Sequence, residues 1–184
     1  MLKHKFNKLK DKFSLILESE VLSGLSPTER TQLLNMCHQR HFNKDEVIFN
    51  QGDPGSGLYL IKSGLVELLV KSNGEENVKD LTQTLEPPTA FGMLSLVNEQ
   101  RRFYTAIARE ETVLYGFFQP DLKVLKERYP GIAVTFISQL ATYSLHLLIK
   151  NTARLAESSS QQDAHSVFIE SDSFQPSSFE SQSH

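Results

Sequence analysis

The stretch from Asp45 to Phe118 most constrains what this chain can fold into. It contains short β-prone runs at Glu46–Phe49, Leu58–Ile61, Leu65–Lys71, Val78–Leu85, Phe103–Ala108 and Thr112–Phe118. Turn signals separate them: Gly52-Asp53-Pro54-Gly55-Ser56-Gly57, Ser63-Gly64, Asn73-Gly74 and Pro87-Pro88. Asn-Gly between two such runs is a strong hairpin signal, because both central residues of a type I′ turn need positive φ. Short strands at this spacing bury their apolar faces by curling into an antiparallel barrel or jelly roll. Helical patterns bracket the run. Ser26-Pro27-Thr28-Glu29 supplies an N-cap, a proline at the first helical position and a Glu three residues past the cap, predicting a helix from Pro27 to about His38. Further helices are predicted over Pro120–Arg128 and from Pro130 to about Glu157. The expected fold class is α+β, an antiparallel β-roll or jelly roll flanked by N-terminal helices and a long C-terminal helix.

The two ends differ from this middle. Leu2, Phe6, Leu9, Phe13 and Ile16 recur at helical spacing with five lysines on the other faces, so residues 1–24 read as a basic amphipathic helical segment. That helix either packs on the domain or a partner, or makes peripheral contact with an anionic membrane surface. Residues 157–184 carry five acidic and no basic residues, with ten Ser and four Gln. Such a composition cannot bury enough apolar surface to offset ordering, so 158–184 is expected to be a disordered tail. Between them lie a β-roll domain at 25–130 and a long helix at 131–157. In that helix Leu140, Leu147 and Leu148 belong to two neighbouring apolar stripes, more than one core contact requires, and are candidates for a homodimer interface. No continuous apolar run approaches the roughly 20 residues that span a bilayer, and Phe13–Leu17 is too short for a signal-peptide core. The single cysteine, Cys37, excludes an internal disulfide framework. Together these point to a cytoplasmic protein. Cys37 and His41, four apart on the expected helix, have a spacing that suits two metal ligands, but no further ligand stands near them and no metal is expected.

The glycines of Gly52–Gly57 sit between strands, so Rossmann and P-loop readings, which need a strand followed by a helix, fail. No nucleophile elbow, no zinc-protease motif and no distinctive carboxylate pair is present, and no enzyme activity is expected. The segments "GLSPTER", "DEVIFNQGDPGSGLYLIKSGLVEL", "AFGMLSLVNEQRRFYTAIA" and "LKERYPGIAVTFISQLA" resemble the cyclic-nucleotide-binding domain family, the β-roll sensor of catabolite-activator-type regulators, kinase regulatory subunits and gated channels. The resemblance covers roughly Leu25 to Glu157. It implies a phosphate-binding cassette at Phe91-Gly92-Met93-Leu94, followed about ten residues later by an arginine that pairs with the cyclic phosphate, here Arg102. Gly92 and Arg102 match the pattern. Met93 stands where the family places a Glu that accepts the ribose 2′-hydroxyl, and Phe103 and Tyr104 replace two small residues, where they would fill the pocket.

Losing the carboxylate removes a charged hydrogen bond worth about 1.5–3 kcal/mol, roughly ten- to 150-fold in affinity. Two readings of Arg102 stay open at this level: an anion partner, or a surface arginine paired with Glu99 or Glu67. The function the sequence favours is a non-enzymatic regulatory module of cyclic-nucleotide-binding type that signals through a protein partner or its own twin, with nucleotide binding weakened or lost. The alternative is a working sensor in which cyclic AMP or cyclic GMP shifts the C-terminal helix. Direct DNA binding is not expected, because an acidic tail stands where transcriptional members carry a helix-turn-helix and phosphates would repel it.

Overall fold

The structure, a computed structural model, describes residues 15, 17–70 and 81–158. The lysine-rich start, the Asn73-Gly74 turn and the Ser- and Gln-rich tail lie outside the described residues. The strands are β1 (His38–Phe42), β2 (Val47–Phe49), β3 (Gly57–Ser63), β4 (Val66–Val70), β5 (Leu81–Leu85), β6 (Ala90–Phe91), β7 (Thr105–Ala108) and β8 (Thr112–Phe118). They form two antiparallel four-stranded sheets, ordered β1-β8-β3-β6 and β2-β7-β4-β5. Helix α1 (Pro27–Met36) precedes them, the single turn α2 (Leu94–Val97) interrupts them, and α3 (Gln119–Arg128) and α4 (Pro130–Ser158) follow. This is the expected α+β roll with helices at its ends.

Pairing places the core between the sheets. Ile61, Phe91 and Leu114 from the first sheet meet Phe49, Val66, Leu85 and Ala106 from the second in one buried cluster. The register accounts for it: Ile61 pairs with Leu114 and Val66 with Leu85, and paired residues point to the same face of a sheet. The opposite face of the first sheet is also covered. Leu58 pairs with Phe117, both fully buried, and Phe117 meets Phe136 of α4 edge-to-face at 5.7 Å. Burial on both faces explains why β3 and β8 read as nearly continuous apolar runs rather than as alternation. Gly57 permits the closest approach, since a Cβ there would lie 2.3 Å from the carbonyl oxygen of Phe117.

Helix α1 begins as its sequence requires. Ser26 Oγ accepts from the Glu29 amide at 3.4 Å, the Glu29 carboxylate accepts from the Ser26 amide at 2.8 Å, and Pro27 opens the first turn. It ends earlier than expected. Cys37 is extended (φ −75°, ψ 148°) and His38 opens β1, so Cys37 and His41 do not share a helix and the spacing argument for two metal ligands has no basis. Helix α4 buries Ile132, Ala133, Phe136 and Leu140. Leu140, 7% exposed, is thereby taken up in the core, which corrects its reading as an interface residue; Leu147 is exposed and Leu148 half-buried. A division into two compact units falls inside α4, between Leu140 and Ala141. By length and composition Pro130–Ala153 is apolar enough to cross a membrane, which a search for continuous apolar runs overlooks because Thr, Ser, Gln and Tyr are interspersed. The early residues of that stretch are core residues of the first unit.

Candidate functional site

Three segments converge at one end of the roll. The first is the Gly-rich loop, which fixes the second. Asn50 donates its amide to Asp53 Oδ2 at 2.8 Å and closes the turn. The loop then exchanges backbone bonds with the returning chain: Gly52 N–H to the Arg102 carbonyl at 2.8 Å, Arg102 N–H to the Asp53 carbonyl at 2.9 Å, and Gly55 N–H to the Gln100 carbonyl at 3.0 Å. Gln51 N–H donates to Thr105 Oγ1 at 3.0 Å, and Arg101 donates to the Gly52 carbonyl at 2.8 Å. The returning backbone is therefore held at Gln100 and Arg102, and with it the direction of the Arg102 side chain. The third segment is the cassette. Ala90 and Phe91 pair with Leu60 and Tyr59 of β3, Gly92 turns in the left-handed region (φ +76°), and α2 follows.

Arg102 runs inward and is only 6% exposed. Its guanidinium lies over the Phe49 ring at 4.2 Å and 5.9 Å from the Tyr59 centroid, contacts worth about 0.5–2 kcal/mol as cation–π interactions. Nη1 donates to the Gly92 carbonyl at 3.1 Å, while Nε is buried with no hydrogen-bond partner. Burial pushes its pKa down, opposed by the neighbouring Tyr59 and Tyr104 hydroxyls and the Asp53 carboxylate. The surface pairing considered from sequence does not occur: Glu67 is engaged by Arg109, which also meets Asp45 at 3.0 Å.

The two aromatics after Arg102 part company. Phe103 is 57% exposed and does not fill the interior, which corrects its half of the expectation. Tyr104 turns inward, its ring 5.8 Å from that of Phe49, and its hydroxyl accepts the Gly92 N–H at 2.9 Å. Burial raises the pKa of Tyr104 and of Tyr59, so both hydroxyls are neutral at physiological pH. Phe91 is buried and stacks on Tyr59 at 5.5 Å. Met93 caps α2 and is half-buried, and Leu94 is exposed. Phe49 and Tyr59 also belong to the site, beyond the residues expected from the motif. The period-2 phase that puts Ile61 inside also puts Tyr59 inside, and the phase of Ala106 and Ala108 extended backwards puts Tyr104 and Arg102 inside and Phe103 outside. Among the described residues, no group of three or more His, Cys, Asp or Glu side chains could hold a metal ion.

The site is thus a β-roll that carries an inward arginine against a glycine turn and a one-turn helix. Comparison with known proteins gives the family. Residues 39–129 match the family model for the Cyclic nucleotide-binding domain, and the chain belongs to that family. It is 36% identical over 124 residues to a Cyclic AMP receptor protein of Thermus thermophilus, covering 67% of this chain and 56% of that one. It is 32% identical over 94 residues to a cAMP-dependent protein kinase regulatory subunit of Hypocrea atroviridis, covering 51% of this chain and 19% of that one. The crystal structure of Thermus thermophilus Catabolite Activator Protein superposes with a TM-score of 0.63 at 30% identity, covering 74% of this chain and 63% of that one. The chain thus spans less than two thirds of the length of these relatives. It is a regulatory domain of cyclic-nucleotide-binding type.

Proposed function

We propose that the chain is a non-enzymatic regulatory module that acts in the cytoplasm through protein contacts and has weakened or lost cyclic-nucleotide binding. The observation that carries this reading is the engagement of Arg102 by its own domain. The guanidinium that the family resemblance assigns to the cyclic phosphate stacks on Phe49 and donates to the Gly92 carbonyl. Met93 adds to it, because a thioether cannot accept a ribose hydroxyl as a carboxylate does. Output through a partner or a second copy is supported by the exposed apolar residues Leu145, Leu147 and Ile149 of α4. A thermal-unfolding comparison with and without millimolar cyclic AMP or cyclic GMP tests the first half: no shift is expected, because a ligand that does not bind the native state cannot stabilise it. A shift that saturates in the micromolar range would overturn it.

One observation favours the alternative, a working cyclic AMP or cyclic GMP sensor. Arg102 Nε is buried without a partner, and a buried charged donor left unpaired is costly unless an anion joins it. In that reading the ligand would bias the C-terminal helix by binding two states unequally.

A further inference from the structure

The Gly92 residue is held at both its backbone polar groups by one short segment. Its N–H donates to the Tyr104 hydroxyl at 2.9 Å, and its carbonyl accepts from Arg102 Nη1 at 3.1 Å. The two side chains come from residues two apart, on backbone that the Gly52–Asp53 loop pins through Arg102. A hydroxyl oxygen facing a backbone N–H makes the contact that an oxygen of a bound oxyanion would make there. Both groups also share one platform, since Arg102 and Tyr104 each pack on the Phe49 ring, at 4.2 and 5.8 Å. Turning the Tyr104 ring outward would free the Gly92 N–H and expose one side of Phe49 together. Within this arrangement Arg102 Nε is the polar atom left buried and unsatisfied.

We infer that Tyr104 is a built-in occupant of the cassette, an autoinhibitory contact whose hydroxyl holds the place of a ligand oxygen and which must swing out before an oxyanion reaches Arg102. The inference rests on the closed-pocket reading above and names its cause. Because the tyrosine hydroxyl stays neutral, the contact is an ordinary hydrogen bond, weak enough to be exchanged for a charged one. Phe103, exposed beside it, takes no part.

Residue-resolved amide exchange on the full chain tests this directly. In the unmutated protein the Gly92 amide is expected among the protected ones. Tyr104→Phe keeps the ring and removes the acceptor, and should speed Gly92 exchange by about fivefold or more, the weight of one hydrogen bond, while amides in the β3–β8 ladder change by less than about twofold. Tyr104→Ala also removes the ring, and should give a cyclic AMP titration signal that Arg102→Ala abolishes. Unprotected Gly92 in the unmutated protein, unchanged Gly92 exchange in Tyr104→Phe, or no cyclic AMP signal from a folded Tyr104→Ala variant would each overturn the inference. Micromolar cyclic AMP binding by the unmutated chain would instead overturn the closed-pocket reading, whatever Gly92 does.

Discussion

Gly92→Ala tests whether the cassette turn and Arg102 act as one unit. Two costs can be read from the structure. At φ +76° an alanine sits in the left-handed region, which costs about 1–2 kcal/mol relative to glycine. Its Cβ would also lie 2.5 Å from Arg102 Nη1 and 3.3 Å from the Gly57 carbonyl oxygen. A surface arginine would step aside at little cost. Arg102 cannot do so without leaving the Phe49 face and the Gly92 carbonyl, and a hydrogen bond to a charged group is worth about 1.5–3 kcal/mol. The expected loss is therefore about 2.5–5 kcal/mol, a large fraction of the stability of a small domain. Urea unfolding followed by far-ultraviolet circular dichroism suits a chain with no tryptophan, and the slope should stay constant while the midpoint falls. In an Arg102→Ala background the obstruction is gone, so the same substitution should cost only about 1–2 kcal/mol. The coupling between the two sites is then about 1.5–3 kcal/mol. Additive costs, or a loss below about 0.5 kcal/mol for Gly92→Ala alone, would refute the reasoning.

Two further outcomes are expected. Burial, with a smaller push from the Asp121 carboxylate, raises the Cys37 thiol from 9.0 to about 12; since the thiolate is the reactive form, alkylation at pH 8 should run about a thousandfold slower than in the urea-unfolded chain. Near-equal rates would place Cys37 in water. If α4 joins two copies, Leu147→Glu should convert a dimer to a monomer in light scattering, and an unmutated protein that is already monomeric at high concentration would remove the dimer.

Much of the roll is legible in the residues because burial writes it there. β3, β4, β7 and β8 read as apolar runs, and the capping box marks the start of α1. β1 does not read as a strand, because His38, Gln39, Arg40 and His41 are exposed on a sheet edge and their polarity carries no period. For the same reason the helix predicted from Pro27 runs to about His38, past the end of α1 at Met36. β6 is two residues long and exists through pairing with Tyr59 and Leu60, a long-range fact with no local signal. In the site, Gly92 and Arg102 are visible through the family resemblance, whose motif and spacing they match. The placement of Arg102 over Phe49 and beside Tyr59 is not, because residues from β2, β3 and the approach to β7 meet only when the two sheets face each other. Sequence treats Phe103 and Tyr104 as a pair of bulky replacements. The pleat separates them, sending one to solvent and the other to Gly92.

The central claim is that this cassette is closed by its own side chains and lacks its carboxylate, and calorimetric titration with cyclic AMP tests it most directly. The unmutated protein should give no binding heat up to millimolar ligand, while Met93→Glu combined with Tyr104→Ala should bind, with Met93→Glu supplying roughly ten- to 150-fold over Tyr104→Ala alone. Binding heat from the unmutated chain at micromolar cyclic AMP, unaffected by either substitution, would contradict it.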